Sequence, residues 1–130
     1  MTAVGLPWDE FLRRRDSDPP ALSVSGWSAD YPDPDNLLRV LFHSREGLNA
    51  IRWQNADFDA LSEQAAAAMD RRARLDLYAR ADRILVEEQA AVAPLWYGEN
   101  GQLLQPHVHV PRVPARMLKL KDVVIRQPGE

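Results

Sequence analysis

The 130 residues contain no cysteine and carry a formal charge of −3, which excludes a disulfide framework and a thiolate metal site. The mild acidity argues against a nucleic-acid partner, which calls for a basic face. No apolar run approaches the ~20 residues that span a bilayer, and the opening residues, with Asp9, Glu10 and Arg13 to Arg15, do not resemble a signal peptide.

Residues 1–20 read as a strand end, a helix and a loop. Trp8, Phe11 and Leu12 share one helical face. Asp9 and Glu10 sit in the first turn and three arginines in the last, the ends that the helix dipole favours for each charge. The arginines read as a solvated helix end rather than a contact for acidic lipid or phosphate. Asp16 to Pro20 breaks the helix.

Leu22, Val24 and Gly26 alternate with serines in a short strand pattern. The stretch Gly26-Trp27-Ser28-Ala29-Asp30-Tyr31-Pro32-Asp33-Pro34-Asp35-Asn36 follows, with three carboxylates, two aromatics and two prolines, and then the apolar helix-like run Leu37 to Phe42. A strand-to-helix loop is a usual place for functional groups. Pro32 and Pro34 stiffen it and push Tyr31 and Asp33 to extended backbone. Asp33 is placed to cap a helix with Pro34 at its first position. Asp30 is then the carboxylate without an obvious local role. With Trp27 three residues away, it suits recognition of a cation or amine, charge from one group and ring face from the other. Equally, Asp30 could satisfy loop amides, as aspartates in turns do.

Residues 43–56 form a polar connection in which 43–49 has no periodicity and reads as a surface loop, and Trp53 reads as packing. A helix is expected over 57–69, capped by Asn55 or Asp57, with Phe58, Leu61, Ala65 and Ala68 on one face. Asp70 restarts a second helix whose face is Leu77, Tyr78, Ala81, Ile84 and Leu85. Both read as scaffold. Ala90 to Tyr97 is an apolar, strand-like run broken by Pro94, and Trp96-Tyr97 could line a cleft or pack in a sheet. Gly98 to Gly101 is a turn. A short strand is expected at 102–104 and a final one through Leu118, Leu120, Val123 and Ile125.

Other chemistries find too few residues. His107 and His109 alternate like two arms of a metal site, but a site needs three or four ligands. From Asp33, a calcium loop would need Gly and Glu where Leu38 and Ser44 stand. No nucleophile elbow, phosphate loop or desolvated acid pair is evident, so no enzyme and no cofactor are expected.

Trp27 to Asn36 followed by Leu41-Phe42 resembles the signature of bacterial extracellular solute-binding proteins of family 5, the oligopeptide- and dipeptide-binding components of ABC importers. In the same order, Trp53-Gln54-Asn55 with Phe58 to Leu61, Arg74 with Leu77-Tyr78 and Ala81 to Leu85, Val92 to Tyr97, Leu103 to Val108 and Lys121 to Val123 resemble later segments of that family. The resemblance implies an α/β fold, the C-terminal part of a two-lobe, type II periplasmic-binding-protein-like architecture. Residues 1–99 would be part of the second ligand-binding lobe and 100–130 a segment returning to the first, with a hinge near Asn100. The chain would be a fragment of a larger, extracytoplasmic protein that binds a peptide or other small solute and delivers it to an ABC permease. Asp30 would pair with the ligand α-ammonium and Trp27 would line the pocket. Ser28 and Tyr31 share the loop, and Asn49 and Trp53 would pass near the cleft. The alternative is a solute-binding-like sensor domain derived from a regulatory protein.

Overall fold

A computed structural model describes residues 2–98, 101, 103–111 and 119–126. The chain divides into two compact units, Met1–Pro94 and Leu95–Glu130.

The first unit is built on a helical hairpin. α4 (Ala56–Ala67) starts where the Asn55 side chain accepts the Phe58 N–H at 2.9 Å, and α5 (Arg71–Arg83) where Asp70 accepts the Ala73 N–H at 2.7 Å. These caps satisfy amides that a helix start leaves without partners. The short connection between them folds the helices back on each other. Phe58, Leu61 and Ala65 of α4 and Tyr78, Ala81 and Leu85 beyond them form the core, joined by Leu38 from upstream. Trp53 stands edge-on to Phe58 at 5.0 Å. Past α5 the chain widens into a π-helical turn, Ile84–Glu88, which the 3.6-residue periodicity does not foretell. It ends as Ala90 takes a left-handed φ of 45° and Ala91 donates back to the Leu85 carbonyl at 3.0 Å.

Upstream lie α1 (Trp8–Ser17), with Trp8 stacked on Phe11, and two single turns, α2 (Pro34–Leu37) and α3 (Arg39–Phe42), separated at Leu38. The expected strand at 22–26 is not formed: residues 23–29 have no regular structure. An alternating pattern becomes a strand only against a partner edge, and among the described residues the one pairing is elsewhere.

Residues 43–49 are not the plain surface loop expected. His43 is 1% exposed. Its Nδ1 accepts the N–H groups of Arg45 and Glu46 at 3.2 and 3.0 Å, so the proton sits on Nε2, which faces Glu63 Oε1 at 3.1 Å. Asp59 accepts the Ser44 N–H at 3.0 Å. The turn thus closes on α4, and Leu48 and Asn49 donate to the carbonyls of Val40 and Leu41 at 2.8 and 2.9 Å.

In the second unit, β1 (Val108–His109) pairs antiparallel with β2 (Val124–Ile125), Val108 opposite Ile125 and His109 opposite Val124. The expected final strand is shorter than its pattern, because Leu120–Asp122 forms a 3₁₀ turn before β2. Residues 90–98, 103 and 104 are not strand. Glu99, Asn100, Gln102 and Leu118, on which the expected hinge and parts of two strands fall, lie outside the described residues. Among the described residues no helix is long and apolar enough to cross a membrane.

The tight turn makes a test. A Cβ at Gly47 would stand 2.8 Å from the Arg39 carbonyl oxygen and 2.9 Å from both the amide nitrogen and carbonyl oxygen of His43. Backbone atoms at that distance cannot yield as a side chain can. Gly47→Ala is expected to lower stability by about 1–3 kcal/mol, read as a lower urea midpoint at unchanged slope. An unchanged midpoint would mean the turn can be re-formed without the close approach.

Candidate ligand-recognition site

The Trp27–Asn36 loop sorts its three carboxylates into three environments. Asp33 caps α2 as the sequence predicts: its backbone is extended, its carboxylate accepts the Asp35 N–H at 2.9 Å, and Pro34 is the first helical residue. The same carboxylate receives Arg74 Nη2 at 2.8 Å, from a residue 41 positions away on α5. That Arg74 hydrogen bond holds the Asp33 pKa below the ordinary carboxylate range. Arg74 also donates to the Ala65 and Ala66 carbonyls at 2.6 and 3.2 Å and lies 5.1 Å from the Tyr78 ring centre. A cation there is favourable, since those carbonyls end α4.

Asp35 is the buried one, 5% exposed. Its oxygens accept from Tyr31 Oη at 2.6 Å, Tyr78 Oη at 2.8 Å, Arg39 Nε at 2.6 Å and Arg39 Nη2 at 3.2 Å. The fork of two Arg39 nitrogens on one carboxylate is the strong form of this pair. Burial pushes the Asp35 pKa up, but the hydrogen bonds from Arg39, Tyr31 and Tyr78 outweigh it and bring the pKa down to about 2. Burial and the Asp35 carboxylate together raise the Tyr78 phenol, which stays protonated as a donor. Neither Asp35 nor Tyr78 stands out in the sequence. The i,i+4 spacing of Tyr31, Asp35 and Arg39 is the signal that could have found half of the cluster.

Asp30, by contrast, is exposed. Its backbone N–H donates to Asn36 Oδ1 at 3.1 Å. Trp27 donates its indole N–H to that same oxygen at 2.7 Å and keeps 43% of its surface exposed. Tyr31 is half-exposed above its bond to Asp35, and Ser28 is exposed between them. The loop therefore presents Trp27, Ser28, Asp30 and Tyr31 on its outer side over a buried polar base. Asn49 and Trp53 form a separate latch. The Asn49 amide donates to the Trp53 carbonyl at 2.7 Å, and Asn49 takes a left-handed φ of 37°, a conformation asparagine tolerates. Trp53 is half-buried against Phe58, so packing accounts for it.

An open groove of about 500 Å³ lies between this loop and α5, lined by Tyr31, Pro34, Leu37, Leu75, Tyr78 and Asp82 among others. Trp27 and Asp30 do not line it, and it lacks the convergent polar groups that orient a ligand.

No protein-family profile matches the chain. Curated relatives do. The chain is 36% identical over 100 residues to Di/tripeptide-binding protein 4 of Pseudomonas aeruginosa, covering 75% of this chain and 19% of the relative. It is 33% identical over 108 residues to the probable deoxycholate-binding periplasmic protein YgiS of Escherichia coli, covering 83% and 20%. It is 28% identical over 105 residues to the periplasmic oligopeptide-binding protein OppA of Escherichia coli, covering 81% and 19%. The relatives are binding proteins, and this chain shares their descent over a segment about one-fifth of their length. Over that segment the chain is homologous to family 5 extracellular solute-binding proteins.

The Asp35 cluster makes the loop acid-sensitive. Folding lowers the Asp35 pKa from 3.8 to about 2. Its contribution is therefore complete above pH 3.8 and is lost as the pH falls through 2; the shift corresponds to about 2 kcal/mol. Asp33, shifted the same way, adds to this window. Asp35→Asn is expected to cost about 2–3 kcal/mol at pH 7, leaving Arg39 only its more exposed partner Glu46 at 3.1 Å. The loss should shrink towards pH 2. A pH-independent difference between the two proteins in urea unfolding would refute the charge cluster.

Proposed function

We propose that this chain is part of an extracytoplasmic solute-binding protein that takes up a peptide-like ligand and passes it to an ABC permease. The protein would not be an enzyme. The observation that carries this reading is the pairing of an exposed Asp30 with an exposed Trp27 on one rigid loop, both bonded to Asn36. Of the three relatives above, two are named for peptides and one for deoxycholate, so the segment is compatible with more than one solute class. The peptide reading is preferred because a peptide amino terminus offers the cation that this pair of side chains suits.

In this reading residues 1–99 contribute to the second lobe of a two-lobe, type II architecture and 100–130 return to the first. Closure of the lobes would remove water from around Asp30 and strengthen its attraction for an ammonium. Ser28 and Tyr31 would border the amino terminus. Asn49 and Trp53 would act more remotely, by holding the turn before α4.

The test is calorimetric titration of short peptides, free and N-acetylated, into the full polypeptide that carries this segment. Free peptides should bind and acetylated ones bind more weakly. Asp30→Asn should weaken free peptides about 10- to 100-fold, the loss of one charged hydrogen bond, and leave acetylated peptides nearly unchanged. Equal affinity for both peptide forms in the unaltered protein would remove the ammonium role from Asp30.

A further inference from the structure

The two groups proposed above to meet the ligand are bonded to one buried atom. Asn36 is 1% exposed, and its Oδ1 accepts both the Trp27 indole N–H at 2.7 Å and the Asp30 backbone N–H at 3.1 Å. An amide oxygen has two lone pairs, so both bonds can be made at once. One side chain thereby holds two of the four outward residues of the loop. Its backbone N–H donates to the Asp33 carbonyl at 3.1 Å inside α2, which fixes its place.

We infer that Asn36 is a positioning residue for ligand recognition: it sets the spacing between the Trp27 ring and the Asp30 carboxylate, and thereby the preference for a free amino terminus. This rests on the peptide reading above. Asn36 has no ligand contact of its own to make, since it is buried. Without it, the indole N–H and the Asp30 amide each lose their acceptor, and the two groups are no longer referred to a common point. A carboxylate and a ring that move independently still attract a cation, but they do not favour one placement of it.

Three proteins decide the matter: the unaltered polypeptide carrying this segment, Asn36→Ala and Asn36→Asp. Each is titrated with a free and an N-acetylated tripeptide, and the ratio of the two affinities is read. Asn36→Ala should lower that ratio about tenfold, corresponding to the loss of neutral hydrogen bonds. Asn36→Asp keeps an oxygen for both donors and should keep a ratio at or above the unaltered one. A purely structural role would lower both affinities together and leave the ratio unchanged in Asn36→Ala, which would overturn the inference. Should Asn36→Ala not fold, Asn36→Asp still decides: a folded variant that loses the preference overturns it equally. Absence of any preference in the unaltered protein refutes the peptide reading itself, a separate outcome.

Discussion

The loop depends on a buried carboxylate. Asp35 gathers two phenols and a guanidinium from three places: Tyr31 in the loop, Arg39 in the next turn and Tyr78 on α5. Removing a carboxylate from water is costly unless its lone pairs are filled, and here four donor contacts fill them. The result is a strut between a proline-stiffened loop and the helical hairpin that holds the hydrophobic core. Arg74 makes a second strut beside it, from Asp33 to the carbonyls that end α4. The loop is therefore rigid for two independent reasons, ring-locked backbone at Pro32 and Pro34 and ionic bracing underneath.

That division of labour explains why so acidic a segment can be folded at all. Three carboxylates within six residues repel one another unless cations or donors intervene. Asp33 and Asp35 each take an arginine and a set of donors, and both titrate below the usual range as a consequence. Asp30 lies on the exposed side, where water screens it. Asp33 and Asp35 thus face inward onto arginines, while Asp30 lies at the surface with its backbone N–H bonded to Asn36.

Local chemistry was legible in the sequence and distant chemistry was not. The cap at Asp33, the restart of the helix at Asp70 and the apolar residues Phe58, Leu61 and Ala65 of α4 follow from spacing and propensity, because each rests on contacts within four residues. The same reasoning leaves the α4 cap open between Asn55 and Asp57, and the structure uses Asn55. The Asp33–Arg74 and Asp35–Tyr78 bonds join positions 41 and 43 apart, and no periodicity carries that information. Burial of His43 was missed for the same reason: its partner Glu63 is 20 residues on. Strand patterns at 22–26 and 90–97 were over-read, since alternation reports only which side chains could face a sheet, not whether an edge is available. Within the loop, the position before Pro34 singles out Asp33 as a cap, but residue type does not separate the buried Asp35 from the exposed Asp30.

The bracing also bears on what the loop can do for a ligand. A flexible acidic loop would have to be ordered on binding, at a cost of about 1–2 kcal/mol for each backbone residue fixed. Here that ordering is already met by folding, through the prolines, the Asp35 cluster and the two bonds to Asn36. In the proposed role, attraction of an ammonium to Asp30 would not have to offset loop ordering, and the Trp27 ring is already held to the buried Asn36 oxygen. In the role proposed for the loop, selectivity would fall to the outward side chains, while the inward ones hold the fold.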